Sequence, residues 1–294
     1  MPRPAGRALA SVLLCATALL TVACESDDAS QVDAAAPEST EQTSPPPTAT
    51  VPVWKSLSGP LQRCGPQPPS VLDAPFEPTT LRDPAVGKLP AVRLGEGTVA
   101  VVLLHQTDGN GLCGWLPFMP AAADAGFAVL AIDLCRYGES DCRAVNDQTF
   151  TDADQTDPVA VAIHHARTKL GADEVVVMGA SMGGSVALMS AATLPGIDAA
   201  VDLSGPVEWD GMDVVRRGRA LDVPVLVAMA TSEGPEEAAG AQEIVANAPA
   251  GSELLTPDAG HGYVLLNDTE GAPLPLATDV LTWIRQAATV GGRH

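Results

Sequence analysis

From residue 99 onward, strand-length apolar runs alternate with helix-length segments, and this alternation constrains the fold more than any other feature. Val99-Ala-Val-Val-Leu-Leu104 is apolar at every position. A strand with one face in water would alternate, so this one is expected to be buried on both faces. Phe127–Ile132 has the same character; Glu174–Met178, Ile197–Leu203 and Val223–Met229 read as further strands, and Ser252–Thr256 as a shorter one. Helical spacing falls between them, at Trp115–Ala125, Pro158–Leu170, Ser185–Thr193, Glu236–Ala246 and Thr278–Ala288. Gly126 and Gly171 serve as stops, and Thr156 or Asp157 as an N-cap. The pattern predicts α/β architecture: a mostly parallel, doubly wound sheet with helices on both faces. Val53 to Leu89 is Pro-rich and reads as irregular, and Asp133 to Gln155 as a polar loop.

The N-terminus has the character of a targeting segment. Arg3 and Arg7 precede an uncharged run, Ala8–Ala23, that is short for a membrane span. Leu20-Thr-Val-Ala-Cys24 resembles a bacterial lipoprotein signal, with Thr21 where Leu is commoner. That resemblance implies cleavage before Cys24, lipid on its thiol and amine, and an extracytoplasmic protein lipid-anchored to the cell membrane. Residues 24–51, acidic and ending near Pro45-Pro-Pro47, then read as a disordered tether. The expected organisation is a signal over 1–23, a tether over 24–51 and one folded domain over 52–294.

The formal net charge is −20, and loss of Arg3 and Arg7 with the leader makes it −22. Such a surface repels phosphate backbones, so a nucleic-acid partner is not expected. Cys64, Cys113, Cys135 and Cys142 remain after the leader and the lipidated Cys24 are set aside. In an oxidising compartment four cysteines predict two disulfides, with three possible pairings. Cys135 and Cys142 bracket a short loop, which favours 135–142 with 64–113. No cysteine or histidine cluster has metal-ligand spacing, so no metal site is expected.

Chemistry is concentrated at Gly179-Ala-Ser-Met-Gly183. The motif ends a Val-rich strand and opens an Ala/Leu/Met helix, the context a nucleophile elbow requires. Side chains at 179 and 183 would collide across so tight a turn, and Ser181 would stand exposed at its apex. The Met182 N–H, at the new helix N-terminus, would face a developing oxyanion.

Val101–His105, Gly126–Asp133, Arg136-Tyr-Gly-Glu-Ser140, Gly179–Gly184, Val223-Pro-Val-Leu226 and Gly260-His-Gly262 together resemble the α/β-hydrolase superfamily, in the right order over roughly residues 90 to 288. The resemblance implies Ser181 as nucleophile and His261 as general base. It places Glu233 at the acid position after the Val223 strand. Here Ala230 stands where the family usually has Gly, and Glu where it usually has Asp, so Glu236, Glu237 and Asp202 compete for the role. The second oxyanion donor should come from His105-Gln106-Thr107, where the family usually shows His-Gly; Thr107 is preferred and Gln106 is second. His105 then shapes that loop, whereas His164 and His165 lie mid-helix.

Only about eighteen residues separate Ser204 from Val223. That leaves room for one helix near Trp209–Arg219 and little or no lid. Trp115, Phe118, Trp209 and Tyr263 are candidate pocket residues, each equally able to sit in the core or on the rim. The implied activity is hydrolysis of small carboxylic esters through an acyl-enzyme, chemistry that needs no metal or organic cofactor. Transfer or peptide cleavage by the same triad, and a non-catalytic binding protein on this fold, are the rival readings.

Overall fold

A computed structural model describes residues 53–108, 110–143 and 150–291. The leader, Cys24 and the whole of the tether lie outside the described residues. One large sheet runs through the domain. Its principal strands are β1 (Glu77–Asp83), β2 (Gly87–Leu94), β3 (Val99–Leu104), β4 (Ala128–Ile132), β5 (Glu174–Ala180), β6 (Ala199–Leu203), β7 (Val225–Ala228) and β8 (Glu253–Leu255). Their spatial order is β1-β2-β4-β3-β5-β6-β7-β8. From β4 to β8 every neighbour is parallel, whereas β1–β2 and β2–β4 are antiparallel.

The uninterrupted apolar runs are explained by two cores. Ala100, Val102 and Leu104 of β3 pack on one face with Val175 and Val177 of β5. Val101, Leu103, Val176, Met178 and Ala180 pack on the other. The first face is covered by α2 (Thr156–Lys169), α3 (Met182–Ala191) and α5 (Pro235–Asn247). The second is covered by α1 (Met119–Asp124) and α6 (Pro275–Gly291). Each central strand therefore needs apolar side chains at both odd and even positions.

Three expectations are corrected. Residues 53–89 are not simply irregular, because β1 and the start of β2 form a seven-pair antiparallel ladder, from Glu77↔Arg93 to Asp83↔Gly87. Pro78 and Pro90 obscure it in the sequence. Pro78 is tolerated because β1 is an edge strand, where a missing N–H costs little. The expected helix over Trp115–Ala125 breaks into a 3-10 turn, Gly111–Trp115, and α1. Pro117 and Pro120 cause the break, since proline suits only a first helical turn. Near Trp209–Arg219 the chain forms a tiny hairpin, Glu208–Trp209 with Met212–Asp213, and then the five-residue α4 (Val214–Gly218). Asp210 and Gly211, both at positive φ, make its turn, and the Asp213 carboxylate caps α4 by accepting the Arg216 N–H.

The cysteines pair as 64–113 and 135–142. The first bridge ties the segment before β1 to the turn after β3; the second closes the loop after β4.

Candidate active site

The catalytic candidates gather where β3, β5, β7 and β8 end, on the side of the sheet from which their connecting loops emerge. At the end of β5 the backbone of Ser181 has φ 51° and ψ −125°, a conformation that L-residues rarely adopt and that stores strain. Its N–H donates to Leu203 O at 2.8 Å, and its carbonyl accepts the N–H groups of Gly184 and Ser185. The glycine requirement is steric. A Cβ on Gly179 would lie 1.8 Å from Gly183 O, and one on Gly183 would lie 2.3 Å from Leu104 O and 2.7 Å from His105 O. The turn is thus closed on itself and pressed against the end of β3. Ser181 is partly exposed at its apex and Met182 is buried behind it.

His261 extends from the turn after β8, flanked by Gly260 (φ 117°) and Gly262 (φ 56°). The Cβ position of Gly262 lies 3.4 Å from Ala180 Cβ and 2.2 Å from Gln106 Oε1, which sets this loop against both the elbow and the β3 loop. His261 Nδ1 lies 2.7 Å from Glu233 Oε1. Glu233 ends a 3-10 turn, Thr231–Glu233, fixed to the loop that leads from β8 to His261 by Thr231 N–H donating to Pro257 O. The other acids are occupied elsewhere. Glu237 Oε2 accepts the Val207 N–H, Glu236 is exposed in the first turn of α5, and Asp202 Oδ1 accepts the Gly205 N–H. Among the described residues, Ser181 Oγ makes no hydrogen bond, so the structure brings Glu233 to His261 but does not join His261 to the serine hydroxyl.

Asp202 is fully buried under the elbow, where a Cβ on Gly184 would lie 2.0 Å from its Oδ1. Burial pushes its carboxyl up to about 7, and the Glu237 carboxylate adds to the rise against the opposing Gly205 N–H.

The loop after β3 is held by buried polar contacts. His105 Nε2 accepts the Leu134 N–H, which leaves the ring proton on Nδ1, donated to Gln106 O at 2.7 Å. Desolvation holds this imidazole below its ordinary range, so it is a neutral strut. The Gln106 N–H donates to Tyr263 Oη at 2.9 Å. Of the two candidates for the second oxyanion donor, Gln106 therefore has its N–H engaged, and Thr107 stands exposed one residue on. Nearby, the buried Asp133 carboxylate accepts from Leu112 N–H, Glu139 N–H and the Arg63 guanidinium, which binds three segments around the site. Nothing in the sequence signalled Arg63.

Two of the four expected pocket aromatics are core residues: Trp115 and Phe118 are 0% and 1% exposed. Their wall is the α1 face of the sheet, not the cleft. Trp209 sits on the surface hairpin, with Nε1 donating to Asp152 Oδ2, and Tyr263 is half-buried beside the site. His164 and His165 lie on α2, away from these loops.

A family model described as the alpha/beta hydrolase fold matches residues 99–224. With the strand order and the elbow, that decides the architecture. The fold is the α/β-hydrolase fold. Solved structures on this hydrolase fold include an esterase of Pyrococcus furiosus, 16% identical, with TM-score 0.60 over 74% of this chain and 92% of that one. A proline iminopeptidase of Mycobacterium smegmatis is 13% identical, with TM-score 0.57 over 73% and 99%. A dienelactone hydrolase of Anabaena variabilis is 19% identical, with TM-score 0.57 over 72% and 98%. No curated protein matches the sequence. At these identities the likeness is one of fold.

Proposed function

We propose that the chain is a serine hydrolase that cleaves carboxylic esters through an acyl-enzyme, with Ser181, His261 and Glu233 as its triad. The observation that carries this reading is the 2.7 Å contact between His261 Nδ1 and Glu233 Oε1, in a loop packed on the strained Ser181 turn. With Nδ1–H donated to the carboxylate, the Nε2 lone pair is free to take the Ser181 proton. Ser181 Oγ then attacks the ester carbonyl. The tetrahedral oxygen receives hydrogen bonds from the Met182 and Thr107 N–H groups, each worth about 10² to 10³ in rate for such a donor. Collapse expels the alcohol, protonated by the imidazolium, and water repeats the cycle on the acyl-enzyme. Glu233 keeps the ring in the working tautomer and stabilises its charged form.

Only about eighteen residues separate Ser204 from Val223, too few for a large lid, which suits small, accessible esters better than long buried chains. The surface charge disfavours strongly anionic substrates. Export and lipid attachment at Cys24 belong to the same reading and rest on the leader alone.

A fluorophosphonate probe tests the chemistry. Labelling of the folded protein that is lost in Ser181→Ala supports it, and absence of labelling overturns it. A panel of p-nitrophenyl esters of two to twelve carbons, run beside amino-acid amides because of the iminopeptidase likeness, separates esterase from peptidase.

A further inference from the structure

The loop bearing His261 and the loop bearing Thr107 meet at one side chain that belongs to neither proposed role. Tyr263, two residues beyond His261, accepts the Gln106 N–H on its phenol oxygen at 2.9 Å. Its ring is wedged edge-on against Trp115, with centroids 4.9 Å apart. The room for that ring exists because residue 114 is glycine: a Cβ there would lie 2.1 Å from Tyr263 Cε2.

The consequence concerns peptide planes. The Gln106 carbonyl, which accepts from His105 Nδ1, shares a rigid trans peptide unit with the Thr107 N–H. Fixing that carbonyl toward His105 turns the Thr107 N–H the opposite way. The preceding peptide unit is fixed independently, by its Gln106 N–H on Tyr263 Oη. Together the two hydrogen bonds pin both planes around Gln106 and leave Thr107 little freedom to rotate. They also withdraw the Gln106 N–H, so only one of the two adjacent donors is offered to a substrate.

We infer that Tyr263 is a positioning residue for the reaction proposed above: through Gln106 it holds the Thr107 N–H in its oxyanion-binding direction and couples that loop to the His261 loop. The inference rests on the serine-hydrolase reading. Burial, reinforced by the Asp108 carboxylate, holds the phenol proton on well above the usual range, so Tyr263 stays a neutral acceptor throughout the working pH range.

Tyr263→Phe removes only the hydroxyl. A misplacement of an ångström or less at a reacting group costs up to about a hundredfold, so kcat should fall by about tenfold, with KM within about twofold. A trifluoromethyl ketone, which forms a tetrahedral adduct with serine, should lose affinity by the same factor. The pH–rate profile should drop without shifting. Should Tyr263→Phe not fold, Gly114→Ala, which displaces the ring but keeps the hydroxyl, should give the same three readings. If either folded variant keeps wild-type kcat and ketone affinity, Tyr263 is merely structural and the inference is overturned while the hydrolase reading stands. If wild-type protein shows no hydrolysis that depends on Ser181, both fall.

Discussion

The two halves of the proposed triad are built on opposite plans. The elbow is a piece of core: Gly179, Ala180 and Met182 to Ala191 are buried, and three glycines are in contact with backbone or with a buried carboxylate. The relay is surface: the His261 side chain is 47% exposed, Glu233 is 21% exposed, and one hydrogen bond joins them. One region holds its geometry by excluded volume, the other by a contact that can be remade. Packing suits the group that must sit in a strained conformation, whereas a base that moves a proton between nucleophile and leaving group needs some freedom. Stability and activity should therefore come apart when each region is damaged.

The largest effect is expected at Gly179→Ala. Its methyl would lie 1.8 Å from a backbone oxygen of the same turn, which no rotamer change relieves. A loss beyond about 4 kcal/mol is the expected scale for such a core clash. Urea denaturation and soluble yield measure it, and a wild-type midpoint would mean that the turn is not closed as described.

Glu233→Gln attacks the other half. The amide keeps the shape of the side chain but cannot favour the working tautomer or the imidazolium, and in the serine-protease triad the equivalent change costs about 10⁴ in kcat. A fall of at least about 10³ is expected here. An exposed pair contributes at most about 1 kcal/mol, so the melting temperature should hardly move. A parallel loss of stability and activity would erase the contrast between the two regions.

The same contrast explains what could be read from the sequence. The elbow is local: five consecutive residues, a strand before and a helix after, with glycines demanded by sterics that span only four positions. Strand β3 was equally plain, because burial on both faces leaves no polar position to confuse the period. Glu233 was harder, since the residue types around it depart from the family pattern, and only the approach of two loops distant in sequence sets it against His261. The β1–β2 ladder was hidden by prolines whose acceptability depends on β1 being an edge. Tyr263 was legible as an aromatic near the site but not as a partner of Gln106, 157 residues away in the chain. Trp115 was open for the same reason: its type fits a pocket wall or a core, and only its complete burial, edge-on to Tyr263, decides.

The smallest effect concerns Asp202, and it bears on both regions because this carboxyl lies beneath the elbow and competes with Glu233 for the role of acid. Its folded-state value of about 7 stands above the ordinary carboxylate value. Between about pH 4 and 7 the unfolded chain has released this proton and the folded chain has not. The folded state thus binds more protons, and stability falls as pH rises through that window. Below pH 4 the full contribution is present; above 7 the charge is buried and the penalty complete. Asp202→Asn keeps an oxygen for the Gly205 N–H and carries no charge. It should match wild type near pH 4 and exceed it at pH 8 by an order of a few kcal/mol. Denaturant titrations at four pH values read this directly. Because His261 meets Glu233 and not Asp202, the variant should also retain the wild-type rate of the proposed reaction. A stabilised but inactive Asp202→Asn, beside an active Glu233→Gln, would move the acid from the exposed relay into the core and dissolve the division of labour between the two regions.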